Sequence, residues 1–287
     1  MSFKIIGIAG AGVIGSSLAQ HISNSGLDVI LSDVSVDKIN ESRETIKRNM
    51  RFQALLSNIE VSDPRKGNIT FVTSLSSFSK ADYIVECVTE NFDTKQEVFH
   101  KLDRICKKGC IIASNTSAIP ITKLADATKR KEQVIGLHFM NPVPLINTVE
   151  MIPGRYTSEI TLEKTRNFLM AIKKEWIHVN DSPGFVSNRV LMLTINESIH
   201  TLDDGVASAA DIDKIFKSCF NHRMGPLETA DLIGLDTILF TLNVLQESFR
   251  DDKFKPSPLL VKKVQNGDLG RKSGNGFYEY YSKKRDH

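Results

Sequence analysis

Four cysteines in 287 residues, none in a CxxC pair, leave little material for a disulfide framework or a thiolate metal cluster. Cys106 and Cys110 are four apart, but Lys107-Lys108-Gly109 between them reads as a turn, so all four, Cys87 and Cys219 included, are expected to be reduced thiols. No apolar run approaches the roughly 20 residues that a membrane helix needs. The apolar amino-terminal stretch is short, broken by glycine and committed to a strand, so no secretory signal is expected. Excess charge is scarce as well. Lys and Arg number 37 against 34 Asp and Glu, and a net charge of +3 argues against a nucleic-acid surface. The basic triplets Lys129-Arg130-Lys131 and Lys283-Lys284-Arg285 read as solvated surface. Repeats of solenoid period and low-complexity tracts are missing too. These absences leave a soluble, cytoplasmic chain with neither nucleic acid nor membrane as partner.

What is present is an ordinary globular composition, 41% hydrophobic and 25% charged, long enough for two cores. Short apolar runs at Lys4–Ala9, Asp28–Leu31, Ala81–Val88, Cys110–Ser114 and Val134–His138 read as buried strands. Helices are expected over Val13–Ser23, from Val36 to about Ser57, and over Asn91–Ile105. Continuous apolar strands alternating with helices call for a parallel, doubly wound sheet. Near Asn180 the pattern changes. Beyond the turn at Asp181-Ser182-Pro183-Gly184, strand signals nearly vanish, and residues 185–203, 208–219, 233–249 and 256–265 read as helices. Breaks are expected at Gly205, Met224-Gly225-Pro226 and Lys255-Pro256, and a frayed tail from Tyr281 to His287. The division is a nucleotide-binding domain over 1–181 and a helical domain over 182–287. The fold class is thus α/β, a mostly parallel Rossmann-type sheet followed by an all-helical carboxyl-terminal domain.

The chemistry begins at Gly10-x-Gly12-x-x-Gly15. Glycine triplets are common in loops, but this one follows an apolar strand, opens an apolar helix, and has Asp33 at the end of the next strand. Gly10 permits the tight turn, Gly12 admits a pyrophosphate to the backbone, and Gly15 lets helix and sheet close. A carboxylate at Asp33 suits ribose hydroxyls and repels a 2′-phosphate, so NAD is favoured over NADP; capping the next helix is its rival role. Glu90, Asn91 and Lys95 follow the strand Ala81–Val88 at the ligand-binding edge of the sheet, though Asn91 also reads as a helix N-cap. Ser114-Asn115-Thr116-Ser117 ends the next strand with oxygen-binding side chains that are equally good turn formers. His138 alone would read as a core histidine. Glu150, twelve residues on, changes that reading. The proline-rich turn at 140–144 and a return strand at Ile146–Glu150 would bring the carboxylate back beside the imidazole. It would fix the tautomer and leave the other nitrogen to exchange a proton with substrate. No third ligand with suitable spacing accompanies the pair, so no metal is expected. Hydride carrier and proton base together mean alcohol–ketone oxidoreduction.

Seven motifs now converge: GAGVIG (10–15), ECVTEN (86–91), SNTSAI (114–119), GLHFMNPVP (136–144), DSPGFVSNR (181–189), MGPLETADLIGLDT (224–237) and GRKSGNGFY (270–278). In order and over nearly the whole chain, they resemble the short-chain L-3-hydroxyacyl-CoA dehydrogenases. The resemblance implies an NAD-dependent enzyme interconverting 3-hydroxyacyl and 3-oxoacyl thioesters, with His138 as base and Glu150 as its orienting partner. Ser117 and Asn188 would contact the reacting oxygen in a cleft between the domains. NAD would be held by Gly10, Gly12, Val13, Ile14, Gly15, Asp33, Glu90, Lys95, Asn115 and Ser117, and Asn141 would join the substrate contacts. Lys47, Arg48 and Arg51 stand in the helical arm where relatives carry lysines for the carrier's phosphates. Their rearrangement leaves two acyl carriers open, coenzyme A and an acyl carrier protein. A third reading is a non-catalytic nucleotide-binding or structural homologue, against which the intact set His138, Glu150, Ser117 and Asn188 argues. The motifs at 224–237 and 270–278 imply folding and assembly, with a homodimer as the expected state.

Overall fold

Runs of buried aliphatic residues alternate with amphipathic helices, and that alternation sets the architecture. A computed structural model describes residues 3–57 and 66–280; the side chains of 52–57, and the tail expected to fray, lie outside that description. By contacts the chain divides into Met1–Ser182 and Pro183–His287.

The first unit holds one eight-stranded sheet: β1 (Ile5–Ala9), β2 (Asp28–Ser32), β3 (Ile69–Val72), β4 (Tyr83–Glu86), β5 (Ile111–Ser114), β6 (Val134–Phe139), β7 (Thr148–Pro153) and β8 (Glu175–His178). Its helices are α1 (Val13–Asn24), α2 (Val36–Ser57), α3 (Phe92–Ile105), α4 (Ile121–Ala125) and α5 (Glu159–Ala171). Across the sheet the order is β3-β2-β1-β4-β5-β6-β7-β8. β3 through β6 run parallel to one another, β7 is antiparallel to β6, and β8 is parallel to β7. The chain moves outward from β1 in one direction and then resumes with β4 on the other side. Their carboxyl ends therefore form the switch point where open α/β sheets bind ligands.

Ile6, Ile8, Leu31, Val85 and Ala113 are buried to 1% exposure or less, which is why the strands form where sheet faces are covered. Tyr83 stacks on Phe168 of α5 with ring centroids 4.5 Å apart, and its hydroxyl pairs with Thr165 at 3.0 Å. That pairing fastens α5 to the sheet and satisfies the one polar atom of a fully buried ring. Two strands were not anticipated. β3 is only half-buried and β8 (Glu-Trp-Ile-His) is mostly exposed, so neither presents an apolar run.

The second unit is helical: α6 (Ser187–Asp203), α7 (Ala209–Cys219), α8 (Pro226–Ile233), α9 (Leu235–Phe249) and α10 (Pro258–Gln265). Ile195, Ile199, Leu227, Ile238, Leu242 and Phe254 form its core. The break expected at Met224-Gly225-Pro226 proves to be a start. Pro226 occupies the first turn of α8, where a missing N–H costs nothing. Asp213 caps that turn, accepting from the Leu227 and Glu228 N–H groups at 2.8 and 2.9 Å. The true interruption is Gly234, with φ at +105°.

Candidate active site

The glycine loop joins β1 to α1 at the switch point. A Cβ on Gly10 would lie 2.4 Å from the Cys87 carbonyl oxygen, and one on Gly15 would lie 1.9 Å from the Gly10 carbonyl oxygen. Both positions demand glycine because backbone passes backbone there. Around Gly12 nothing approaches within 4 Å of the same probe atom, so the loop is open on that side. No side chain caps the amino terminus of α1, whose N–H groups and dipole therefore suit an anion. Val13 stands exposed in the first turn, whereas Ile14 packs on the core. Asp33 accepts from the Ala11 N–H at 2.9 Å and from the Ser35 N–H at 3.0 Å. It holds the glycine loop and starts the turn into α2. A cavity of about 540 Å³ lies alongside, lined by Gly10, Gly12, Asp33, Thr73, Leu75 and Val88 among others. Open glycine backbone, uncapped helix and carboxylate-lipped cavity together fit a dinucleotide. Thr73 and Leu75 escaped sequence reading because they follow the unrecognised β3.

The exits of β4 and β5 are joined by two carboxylates. Glu86 is wholly buried and accepts from the Val88 N–H at 2.7 Å, the Lys95 ammonium at 2.7 Å and the Ser114 hydroxyl at 2.6 Å. Glu90 accepts on one oxygen from Thr116 Oγ1 at 2.5 Å, Ser117 N–H at 2.9 Å and Ala118 N–H at 3.1 Å. Its other oxygen is 3.4 Å from the Lys95 ammonium. Asn91 caps α3 through the Thr94 N–H at 2.9 Å. Burial alone would pull the Lys95 ammonium down, but Glu86 and Glu90 outweigh it and hold it above the ordinary lysine range. Sequence reading did not single out Glu86; a charged residue inside a fully buried strand was the available signal.

β6 and β7 pair in a register that sets His138 directly opposite Glu150. The two side chains are 7% and 8% exposed, and His138 Nδ1 lies 2.8 Å from Glu150 Oε2. A carboxylate can only accept, so Nδ1 carries the proton and Nε2 keeps its lone pair in the neutral ring. Nε2 lies 3.3 Å from the Ser117 hydroxyl. Asn115 fixes the same edge by accepting from the Phe139 N–H at 2.8 Å. Behind β6, α4 packs so closely that a Cβ on Gly136 would meet Ile121 Cδ1 at 2.7 Å. Asp181, read from sequence as part of a turn, caps α4 through the Ile121 and Thr122 N–H groups, both at 2.8 Å. His138, Glu150, Ser117, Asn115, Glu90 and Lys95 thus belong to one connected edge of the sheet.

Asn141 borders a cavity of about 380 Å³ with Gly12, Val13, Ser16, Ser42 and Thr45. Lys47, Arg48 and Arg51 are exposed on α2, with Lys47 and Arg51 one turn apart on one side. Asn188 lies in the first turn of α6 in the second unit, half-buried.

Two family models match the chain: "3-hydroxyacyl-CoA dehydrogenase, NAD binding domain" over residues 5–182 and "3-hydroxyacyl-CoA dehydrogenase, C-terminal domain" over 184–280. A probable 3-hydroxybutyryl-CoA dehydrogenase of Deinococcus radiodurans is 44% identical over 275 residues, covering 96% of this chain and 99% of the relative. A second probable 3-hydroxybutyryl-CoA dehydrogenase, from Bacillus subtilis, is 42% identical over 285 residues and covers 99% of both chains. Among solved structures, the (S)-3-hydroxybutyryl-CoA dehydrogenase of Ralstonia eutropha superposes with a TM-score of 0.90 at 38% identity, covering 98% of this chain and 100% of that one.

Proposed function

Because this chain belongs to the 3-hydroxyacyl-CoA dehydrogenase family, we propose that it interconverts 3-hydroxyacyl-CoA and 3-oxoacyl-CoA with NAD, on short acyl groups of the 3-hydroxybutyryl and acetoacetyl type. The observation that carries the reading is an imidazole held by a carboxylate on one side and open to a hydroxyl on the other, at the ligand-binding edge of the sheet. Bound NAD supplies the carbon that takes up or returns the hydride of substrate C3. This chain's residues bind, orient and move the proton.

In oxidation His138 Nε2 takes the proton of the 3-hydroxyl group. The imidazolium so formed is held by Glu150, whose charge lies 2.8 Å from Nδ1. In reduction the same nitrogen returns the proton. Ser117 orients the substrate oxygen and donates to it as it gains alkoxide character, a contact that strengthens toward the transition state. Asn188 is assigned the second contact to that oxygen from its motif. Gly10, Gly12, Val13, Ile14, Gly15 and Asp33 hold the adenosine and pyrophosphate end of NAD, and the negative charge of Asp33 disfavours a 2′-phosphate. Glu90, Lys95, Asn115 and Ser117 hold the nicotinamide end. Asn141 takes part in substrate binding, and Lys47, Arg48 and Arg51 offer positive charge to the carrier's phosphates. Coenzyme A in the relatives' names supports that carrier over a carrier protein.

No described helix is long and apolar enough to cross a membrane, and all four cysteines are free thiols, which supports a cytoplasmic assignment. The assembly is proposed to be a homodimer built on the helical unit.

The test is His138→Ala assayed with acetoacetyl-CoA by NADH absorbance. Turnover should fall by about 10²–10⁴-fold, the usual contribution of a positioned base, with NADH affinity kept. Wild-type turnover in that variant would remove His138 from the chemistry. Supplied with the same acyl group on coenzyme A and on a carrier protein, the enzyme should turn over the coenzyme A form faster. The reverse ranking would move the assignment to the carrier-protein substrate.

A further inference from the structure

Glu86 is a carboxylate with 0% exposure at the end of a strand otherwise made of Tyr, Ile and Val. A buried charge is costly unless it is paired and hydrogen-bonded, so its position is built for a purpose. Its three donors come from three places: the loop that walls the larger cavity, helix α3, and the end of β5. The Lys95 ammonium is equally enclosed, at 1% exposure, and its acceptors are Glu86, the Val88 carbonyl at 3.2 Å, and Glu90 at 3.4 Å. Two carboxylates thus share one ammonium unequally. Glu86 holds it at 2.7 Å, and the looser contact leaves Glu90 to gather three donors from 116–118.

We infer that Glu86 is a positioning residue of the reaction: by holding Lys95 it leaves Glu90 on the 116–118 loop and so sets Ser117 against His138. The inference rests on the proposal that Ser117 and His138 meet the reacting oxygen. Ser114 joins the same chain, donating to Glu86 at 2.6 Å and accepting from the Thr116 N–H at 3.2 Å. Without the Glu86 charge, the ammonium would have one carboxylate partner left. It would close on Glu90, and Glu90 would be drawn from the N–H groups of Ser117 and Ala118.

Glu86→Gln preserves shape and removes the charge. With acetoacetyl-CoA and NADH both saturating, kcat should fall at least about tenfold, the scale expected when a reacting group is displaced by a fraction of an ångström. The KM for acetoacetyl-CoA should change little. The isotope effect with deuterated NADH should rise, because a displaced Ser117 slows the chemical step and not product release. A Glu86→Gln enzyme within about threefold of wild type, or one whose isotope effect does not rise, overturns the inference. Should Glu86→Gln not fold, Ser114→Ala carries the same test by removing one donor without altering charge: a lowered kcat supports the relay and an unchanged kcat ends it. His138→Ala run in parallel separates the two readings. If it is slow while Glu86→Gln is normal, only the inference fails; if it turns over normally, the reading beneath it fails first.

Discussion

Lys95 carries a charge that water does not reach, and its protonation has a calculable effect on folding. Its ammonium is held above the ordinary value of 10.5, so the folded state keeps this proton more firmly than the unfolded chain does. The stability this adds is whole below 10.5 and is lost as pH climbs through the raised folded value. Lys95→Met should cost about 3–5 kcal/mol near neutral pH, because it leaves Glu86 buried without its counter-charge. In urea titrations the gap between wild type and variant should stay constant from neutral pH to about pH 10 and narrow only above it. A gap that narrows between neutrality and pH 9 would mean that the ammonium is not held as described. The sequence disclosed the neighbouring pair better than this one. Twelve residues and a proline turn separate His138 from Glu150, a spacing that predicts a returning strand, and the strands do pair those residues. Glu86 and Lys95 are nine apart across a strand, a loop and a helix start, and no periodicity links them.

At the scale of elements, strands buried over all or all but the first of their residues show as apolar runs, and β1, β2, β4, β5 and β6 are legible that way. β3 and β8 escaped because an edge strand half in water has no such run to show. α8 was hidden for a different reason. Proline reads as a breaker, yet at the first helical position it is a starter, and only the Asp213 carboxylate across from it shows which applies. The glycine loop was legible in pattern, but the three glycines differ in ways that spacing does not reveal. Gly15 is fixed by the crossing of α1 over the loop, with 1.9 Å to a backbone oxygen; Gly12 has open space. Gly15→Ala should therefore lower both the thermal midpoint and NADH affinity, since helix and loop must separate. Gly12→Ala should lower NADH affinity while leaving the midpoint where it was. Thermal melts and NADH fluorescence titrations of the two variants check this, and equal midpoint losses would refute the distinction.

For the whole molecule, the helical unit poses a question that its own core does not answer. That core is satisfied internally by Ile195, Leu227, Ile238 and Leu242, all fully buried. Yet Ile215 and Phe220 of α7 and its end, Leu232 and Ile233 of α8, and Phe240 of α9 are left 36% to 60% exposed. Single exposed apolar residues mean little, but several on adjacent helices are what the proposed homodimer would need as a contact face. α8 packs against both α7 and α9, so these exposed residues sit on neighbouring helices of the unit. A closed twofold interface is the simplest cover for such a region, because one patch then buries itself against its own copy. Sequence could suggest assembly only through motif resemblance, since a dimer face and a core face have the same helical periodicity. The 32.0 kDa chain should therefore emerge from light-scattering chromatography at about twice that mass. Leu232→Glu with Phe240→Glu places two desolvated charges on each side of the contact, and the mass should drop to that of one chain with the helical content retained. A wild-type protein already at the single-chain mass would leave these residues without the role assigned to them, and a double-glutamate variant that still dimerises would move the interface elsewhere on the unit.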